Sequence, residues 1–232
     1  MKKELKDIHS TLVATYQNNG QLNMAIVEIL GHNSILGKPF NFVYKSDRAQ
    51  RGVPQPIDLG LSVLWASQNY GAPSEEQPGY YVGWGDITAE NYSSIYDEYP
   101  CPNPPMSISG SKFDIARLHW NESWRYPTVA EMQELMQECF WEWVEVHHLD
   151  GSLINGFRVT GKNNNSIFLP AGGNRYGYEY ENINGIGRYW CGEIDPSDTY
   201  RAYLLEFYQD GGGINSLSRF LGLLIRPVLN KE

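Results

Sequence analysis

The sequence predicts an α+β domain in which two short helices pack around small, twisted, mostly antiparallel sheets, preceded by a short N-terminal extension. Three observations predict it. Apolar residues recur in strand-length runs broken by turns, with 23 Gly and 13 Pro in 232 residues. Two segments carry the pattern of a helix N-terminus. Aromatic residues reach 13%, among them 16 Tyr and 7 Trp, so a few large side chains can fill a core.

Residues 1–52 contain no Trp and read as an extension of helix plus short strands. Leu5, Ile8, Leu12 and Val13 stand near helical spacing and predict an amphipathic helix over residues 3–17. Asn18-Asn19-Gly20 ends it, and apolar runs at 24–30 and 40–44 predict a hairpin or short strands. Residues 46–56, with two prolines, read as a linker, and the main domain is placed at 53–230. The extension is expected to attach the domain to an assembly or to form a homo-oligomer.

In the main domain, Leu59, Leu61, Val63 and Trp65 alternate and predict a strand. Residues 79–85, Gly-Tyr-Tyr-Val-Gly-Trp-Gly, hold too much glycine for a regular strand, so the backbone there bends or packs closely against a neighbour. Ser111 to Asp114 fits a capping box that opens a helix running to about Trp120; Thr128 to Glu131 fits a second. From the second box, Met132, Leu135, Met136 and Cys139 form one apolar stripe. His147-His148 read as the exposed end of that helical region. Residues 157–160 and 166–169 flank Gly161-Lys162-Asn163-Asn164-Asn165 and predict a hairpin. Tyr203, Leu205 and Phe207 predict a strand, 209–213 a turn, and 221–228 a last strand that Pro227 places at an edge or bulge.

Composition excludes several functions. Charged residues are only 19% and the net charge is −9, so the basic face that phosphate binding requires is missing and no nucleic-acid partner is expected. No apolar run is long enough to cross a bilayer as a helix, so no membrane insertion is expected. The first residues mix both signs of charge with no apolar run behind them, so no secretory signal is expected; the chain reads as cytoplasmic or virion-associated when made. Cys101, Cys139 and Cys191 are odd in number and lack CxxC spacing, which points to free thiols. The five histidines form no nucleophilic constellation by spacing, so no enzyme is expected.

The order of motifs resembles a known family. Asp58 to Ala66 resembles the "DLGL…WA" opening of the Fibrobacter-type major paralogous domains. Gly79 to Asp86 is similar to their "GDYFAWGE", Trp124 to Thr128 to "WRMPT", and Asn165 to Gly173 to "NSIFLPAAG". Gly187 to Trp190 and Leu224 to Val228 resemble their closing "GYYWSS" and "SVRPV". Six motifs in order span about residues 57–228. Cys191-Gly192 and the run from Gly222 to Ile225 depart from the pattern.

The resemblance implies a C-type-lectin-like fold of the branch shared with formylglycine-generating enzymes. It also implies kinship with the variable proteins of diversity-generating retroelements, whose final segment is a diversified ligand surface. Here that surface would run from Cys191 to Leu223, with the ligand held by Glu193, Asp195, Ser197, Asp198, Tyr200, Arg201, Gln209, Asp210, Asn215, Leu217, Arg219, Phe220 and Leu221. The expected role is adhesion or host recognition by a phage or gut-type bacterial protein acting outside the cell, with a cell-surface protein or glycan as partner. A structural paralogous domain of a bacterial surface protein is the alternative, and a divergent formylglycine-generating-type oxidase a further one.

The residues themselves support part of this. Polar groups mixed with Tyr, Phe and Arg suit a binding surface in composition. Trp65, Trp84, Trp124 and Trp190 read as core side chains, and Arg125 and Arg226 as internal donors. Tyr176, Tyr178 and Tyr180 alternate, which predicts one tyrosine face along an extended segment or a Tyr-rich loop over the core. Glu193, Asp195 and Asp198 lack the Glu-Pro-Asn or Gln-Pro-Asp run of calcium-dependent sugar binders, so neither metal nor cofactor is expected.

Overall fold

The computed structural model describes residues 54–90, 101–147 and 152–231. The expectations for the helix at 3–17, the runs at 24–30 and 40–44, and the extension's assembly role lie outside the described residues. The chain divides into a unit of residues 1–52 and a unit of residues 53–232. Among the described residues, the second is mostly small antiparallel sheets with two helices.

Residues Pro56–Asp58 (β1) and Val63–Ala66 (β2) pair antiparallel. The alternating run from Leu59 is therefore a hairpin turn and a strand rather than one strand. Gly60 has φ +79°, and its amide donates to Asp58 Oδ1 at 2.8 Å, which turns the chain. Pro56 already belongs to the sheet rather than to the predicted linker, of which residues 46–53 lie outside the described residues.

The first helix, α1 (Ile115–His119), is shorter than the capping pattern predicts. Its cap is Asp114, whose carboxylate accepts the amides of Ala116 and Arg117, while Ser111 Oγ accepts only Phe113 N outside the helix. Asp114 Oδ2 also accepts Tyr126 N at 2.8 Å, which draws the following strand against the helix. Trp124–Arg125 is β3. The second helix, α2 (Val129–Glu138), has the expected reciprocal box between Thr128 and Glu131, and buries Met132 and Leu135.

Helix α2 ends at Cys139, already extended at φ −108° and ψ 157°. The chain then runs straight into β4 (Phe140–His147). His147 therefore closes a strand, not a helical region. The alternation of Trp141 and Trp143, both edge-on to Phe157, holds that strand on the core. β4 pairs with β5 (Leu153–Thr160), which pairs with β6 (Ser166–Pro170) around the predicted 161–165 turn. Asn174–Tyr176 (β7) and Glu179–Glu181 (β8) form a two-stranded ribbon.

Gly187–Ile194 (β9), Arg201–Tyr208 (β10) and Gly211–Ser218 (β11) form a three-stranded sheet with β10 in the centre. Both faces of β10 are covered. Leu205 and Phe207 enter a core shared with α2, β2, β5 and β6, while Ala202 and Leu204 enter a second core with Trp84, Trp190 and Ile225. Residues 221–227 are not a regular strand: they make isolated bridges, Leu223 to Val82 and Leu224 to Tyr189. Only Val228–Asn230 (β12) is a strand, and it lies centrally between β2 and β3 rather than at an edge. Pro227 is tolerated because it precedes the ladder and contributes its carbonyl, which accepts Ala66 N at 2.9 Å.

The motif residues build the interior. Trp65, Trp84, Trp124 and Trp190 are buried. Trp84 Nε1 donates to Cys191 O at 2.9 Å and Trp190 Nε1 to Val82 O at 2.8 Å, so the two rings cross-tie their segments. The glycine-rich stretch packs closely, as expected. Gly79 has φ +80°, and a Cβ there would stand 2.4 Å from Tyr70 O. Arg226, fully buried, donates to Asn69 Oδ1, Ala66 O and Phe168 O at 2.8, 2.9 and 2.5 Å. Burial pushes its guanidinium down to about 10.

Candidate functional site

The predicted ligand residues do not converge on one surface. β10 and β11 are joined by the two-residue turn Gln209–Asp210, and their far ends meet at Arg201 and Ser218. Eight residues of strand separate the two ends by about 25 Å. Gln209 and Asp210 are exposed at one end; Ser197, Asp198 and Tyr200 are exposed at the other, with Phe220 partly exposed.

The loop after β9 is held by its own side chains. Asp195 Oδ1 accepts the amide and hydroxyl of Ser197 at 2.9 and 2.6 Å, and Asp198 Oδ1 accepts Tyr200 N at 3.0 Å. Arg219 N donates to Tyr200 O at 3.0 Å, so the loop and the segment after β11 lie side by side. Tyr200 presents about half of its surface to solvent, 55%.

Several predicted ligand residues serve the fold instead. Arg219 is 2% exposed: its Nη1 donates to Cys101 O at 2.8 Å and its guanidinium lies 5.6 Å from the centre of the Trp84 ring. Asp195 is buried as the turn former. Glu193 is half-buried and accepts Val129 N with both carboxylate oxygens, 3.1 Å each, at the N-terminus of α2. Leu217 and Leu221 are partly buried against the second core. Arg201 Nε donates to Ser216 Oγ at 3.0 Å, and its Nη2 to Ser216 O. Asn215 is exposed, but its amide donates to Glu206 Oε1 at 3.2 Å. Asp195 apart, each reaches an acceptor, donor or core farther along the chain, and no local pattern reports that.

A feature outside the predicted set lies beside the segment after β11. The β7–β8 ribbon runs beside residue 222, with Arg175 and Gly222 exchanging both backbone hydrogen bonds, at 2.8 and 2.9 Å. Tyr176, Tyr178 and Tyr180 are 45%, 81% and 53% exposed. They do not share a face, because the ribbon folds between them. Tyr176 pairs with Glu179 and Tyr180 with Arg175, so the register puts Tyr176 and Tyr180 on opposite faces, with Tyr178 in the turn. The Tyr180 ring meets Tyr81 edge-on at 4.9 Å, and the Tyr176 ring meets Phe220 at 5.8 Å. That second contact joins the tyrosine ribbon to the predicted display segment.

Electrostatics anchor the ribbon's base. Glu206 accepts Arg188 Nε at 2.7 Å and the Tyr208 hydroxyl at 2.7 Å, and Arg188 Nη1 also donates to Asn174 of β7. Burial pushes the Glu206 carboxyl up, but Tyr208, Arg188 and Asn215 outweigh it and hold it below its ordinary value. Two thiols, Cys101 and Cys191, are buried, and burial raises both. A mostly apolar recess of about 220 Å³, lined by Met136, Trp141, Phe157, Leu205, Phe207, Gly211 and Gly212, opens near the Gln209–Asp210 end and away from Tyr200.

Among the described residues no group of three or more His, Cys, Asp or Glu side chains could hold a metal ion, and no helix is long and apolar enough to cross a membrane. No family model matches the sequence. No curated protein and no solved structure matches it either.

Proposed function

We propose that residues 53–230 form a C-type-lectin-like, non-catalytic module that binds a ligand at the surface made by the loop after β9, Phe220 and the tyrosine ribbon. The observation that carries this reading is the Tyr176–Phe220 contact, which joins the exposed tyrosine ribbon to the partly exposed Phe220. Clustered apolar rings at a protein surface mark contact sites, and tyrosine offers a large, rigid contact area at low entropic cost. The frame beneath is stiff, since β10 is buried on both faces and the flanking tryptophans are hydrogen-bonded.

Support for the fold assignment comes from the six ordered motifs and from the pairing of the unit's first strands with its last, β1-β2-β12-β3. The partner on this reading is a cell-surface protein or glycan, and the setting is adhesion or host recognition. Binding to glycan and cell-surface arrays should be lost in Tyr200→Ala and Phe220→Ala and kept in Asp210→Ala. Blank arrays with the unaltered protein, or loss confined to Asp210→Ala, would sink the reading. Diversification is a separate test: a near-copy of the coding segment for 191–228 beside a reverse-transcriptase gene is expected, and identical display residues in independent isolates with no such copy would rule it out.

A further inference from the structure

We infer that the ligand of this patch is cationic, a protein segment whose Lys or Arg side chain seats on Tyr176 and Phe220 beside the Glu179 carboxylate. The inference rests on the ligand-binding reading above and adds the chemistry of the partner. Tyr176 and Glu179 are direct cross-strand partners at the end of the β7–β8 ribbon, so phenol and carboxylate project from the same face. Direct partners stand about 5 Å apart at Cβ. The Phe220 ring lies 5.8 Å from the Tyr176 ring and widens the aromatic floor.

A cation over a tyrosine face is attracted by the ring quadrupole, and a carboxylate at its side adds a charge-assisted contact. A neutral sugar could stack on the rings and donate its hydroxyls to Glu179, but it would leave the carboxylate charge uncompensated. Glu179 is exposed and forms no ion pair among the described residues.

Within the stretch of chain that carries the patch, the exposed charges are acidic. From residue 163 to residue 230 the chain has no lysine and five arginines. Arg175 donates to Gly177 O and Tyr81 O, Arg188 to Glu206 and Asn174, and Arg201 to Ser216. Arg219 and Arg226 are buried on backbone carbonyls. Meanwhile Glu179, Glu181 and Asp198 remain exposed. A surface of exposed tyrosines and carboxylates, with its arginines turned inward, complements a basic partner and repels an acidic one.

The test uses the full chain and a short acetylated peptide alternating arginine and glycine, with a glutamate–glycine peptide and a neutral glucose tetrasaccharide as controls. Calorimetry should show saturable binding of the arginine peptide alone, weakening as salt rises. Tyr176→Leu, which keeps the apolar contact with Phe220, and Glu179→Gln should each weaken it about tenfold. Equal binding of the glutamate peptide or the sugar, or no binding of the arginine peptide by a protein active on arrays, would overturn the cation seat and leave the ligand-binding reading standing. No binding of any probe together with blank arrays would overturn both.

Discussion

Glu193 accepts the Val129 amide with both carboxylate oxygens, 3.1 Å each, and so fastens β9 to the first turn of α2. A side chain that composition assigns to a ligand is thus part of the frame. Its surroundings pull in two directions. Burial raises its carboxyl, and the Glu131 charge adds to that, while the Val129 amide favours the ionised form; the net shift is upward from 4.5.

The pH dependence follows from that sign. A carboxyl whose folded value is raised contributes most below its unfolded value and loses that contribution as pH rises through the folded one. Glu193→Gln removes the titration. The stability of the unaltered protein minus that of Glu193→Gln should therefore grow as pH falls from about 7 to about 5. Urea unfolding at both pH values measures it; a difference independent of pH would contradict the assignment.

Glu206 titrates with the opposite sign. Its carboxyl is held below 4.5, so its contribution is present above that value and is lost as pH falls through the folded one. Glu206→Gln weakens the hold on Arg188 and should cost about 1–3 kcal/mol near neutrality. The cost should shrink as pH falls from neutrality toward about 3, as the carboxyl takes up its proton. A cost that stays constant to that pH would show that packing, not charge, is what the substitution removes.

Arg219 and Tyr200 separate frame from surface. Arg219→Ala removes the bond to Cys101 O and the stacking over Trp84, and should lower stability by about 2 kcal/mol or more. Tyr200→Ala, at an exposed loop position, should change stability by less than about 0.5 kcal/mol. Thermal unfolding of the two variants decides it, and comparable losses would place Tyr200 in the frame as well.

Arg226 is expected to tolerate no substitute. Its planar guanidinium serves three acceptors, on residues 66, 69 and 168, with no carboxylate among them. Arg226→Lys keeps the charge but cannot span the three, so it should cost about 2–3 kcal/mol, nearly as much as Arg226→Met. A lysine variant as stable as the parent in chemical denaturation would show that charge alone suffices there.

What the sequence determined by itself was local. The Thr128–Glu131 box specifies α2 because four adjacent residues satisfy one another's amides. The 161–165 turn and the strand through Tyr203, Leu205 and Phe207 follow from turn chemistry and period-two alternation. The tryptophans were legible as core because rings of that size lose most by exposure. The Ser111 box misled because Asp114, three residues on, reaches the helical amides directly.

Only tertiary structure decided which of the predicted ligand residues reach the surface and which serve the frame. Glu193 finds its donor 64 residues away and Arg219 its acceptor 118 residues away. The register of β7 with β8 splits the tyrosines between two faces, and the β10–β11 pairing sends Gln209 and Tyr200 to opposite ends. The physical reason is range. Caps and turns are closed by neighbours along the chain, whereas burial and strand register are set by partners that only the folded chain brings near.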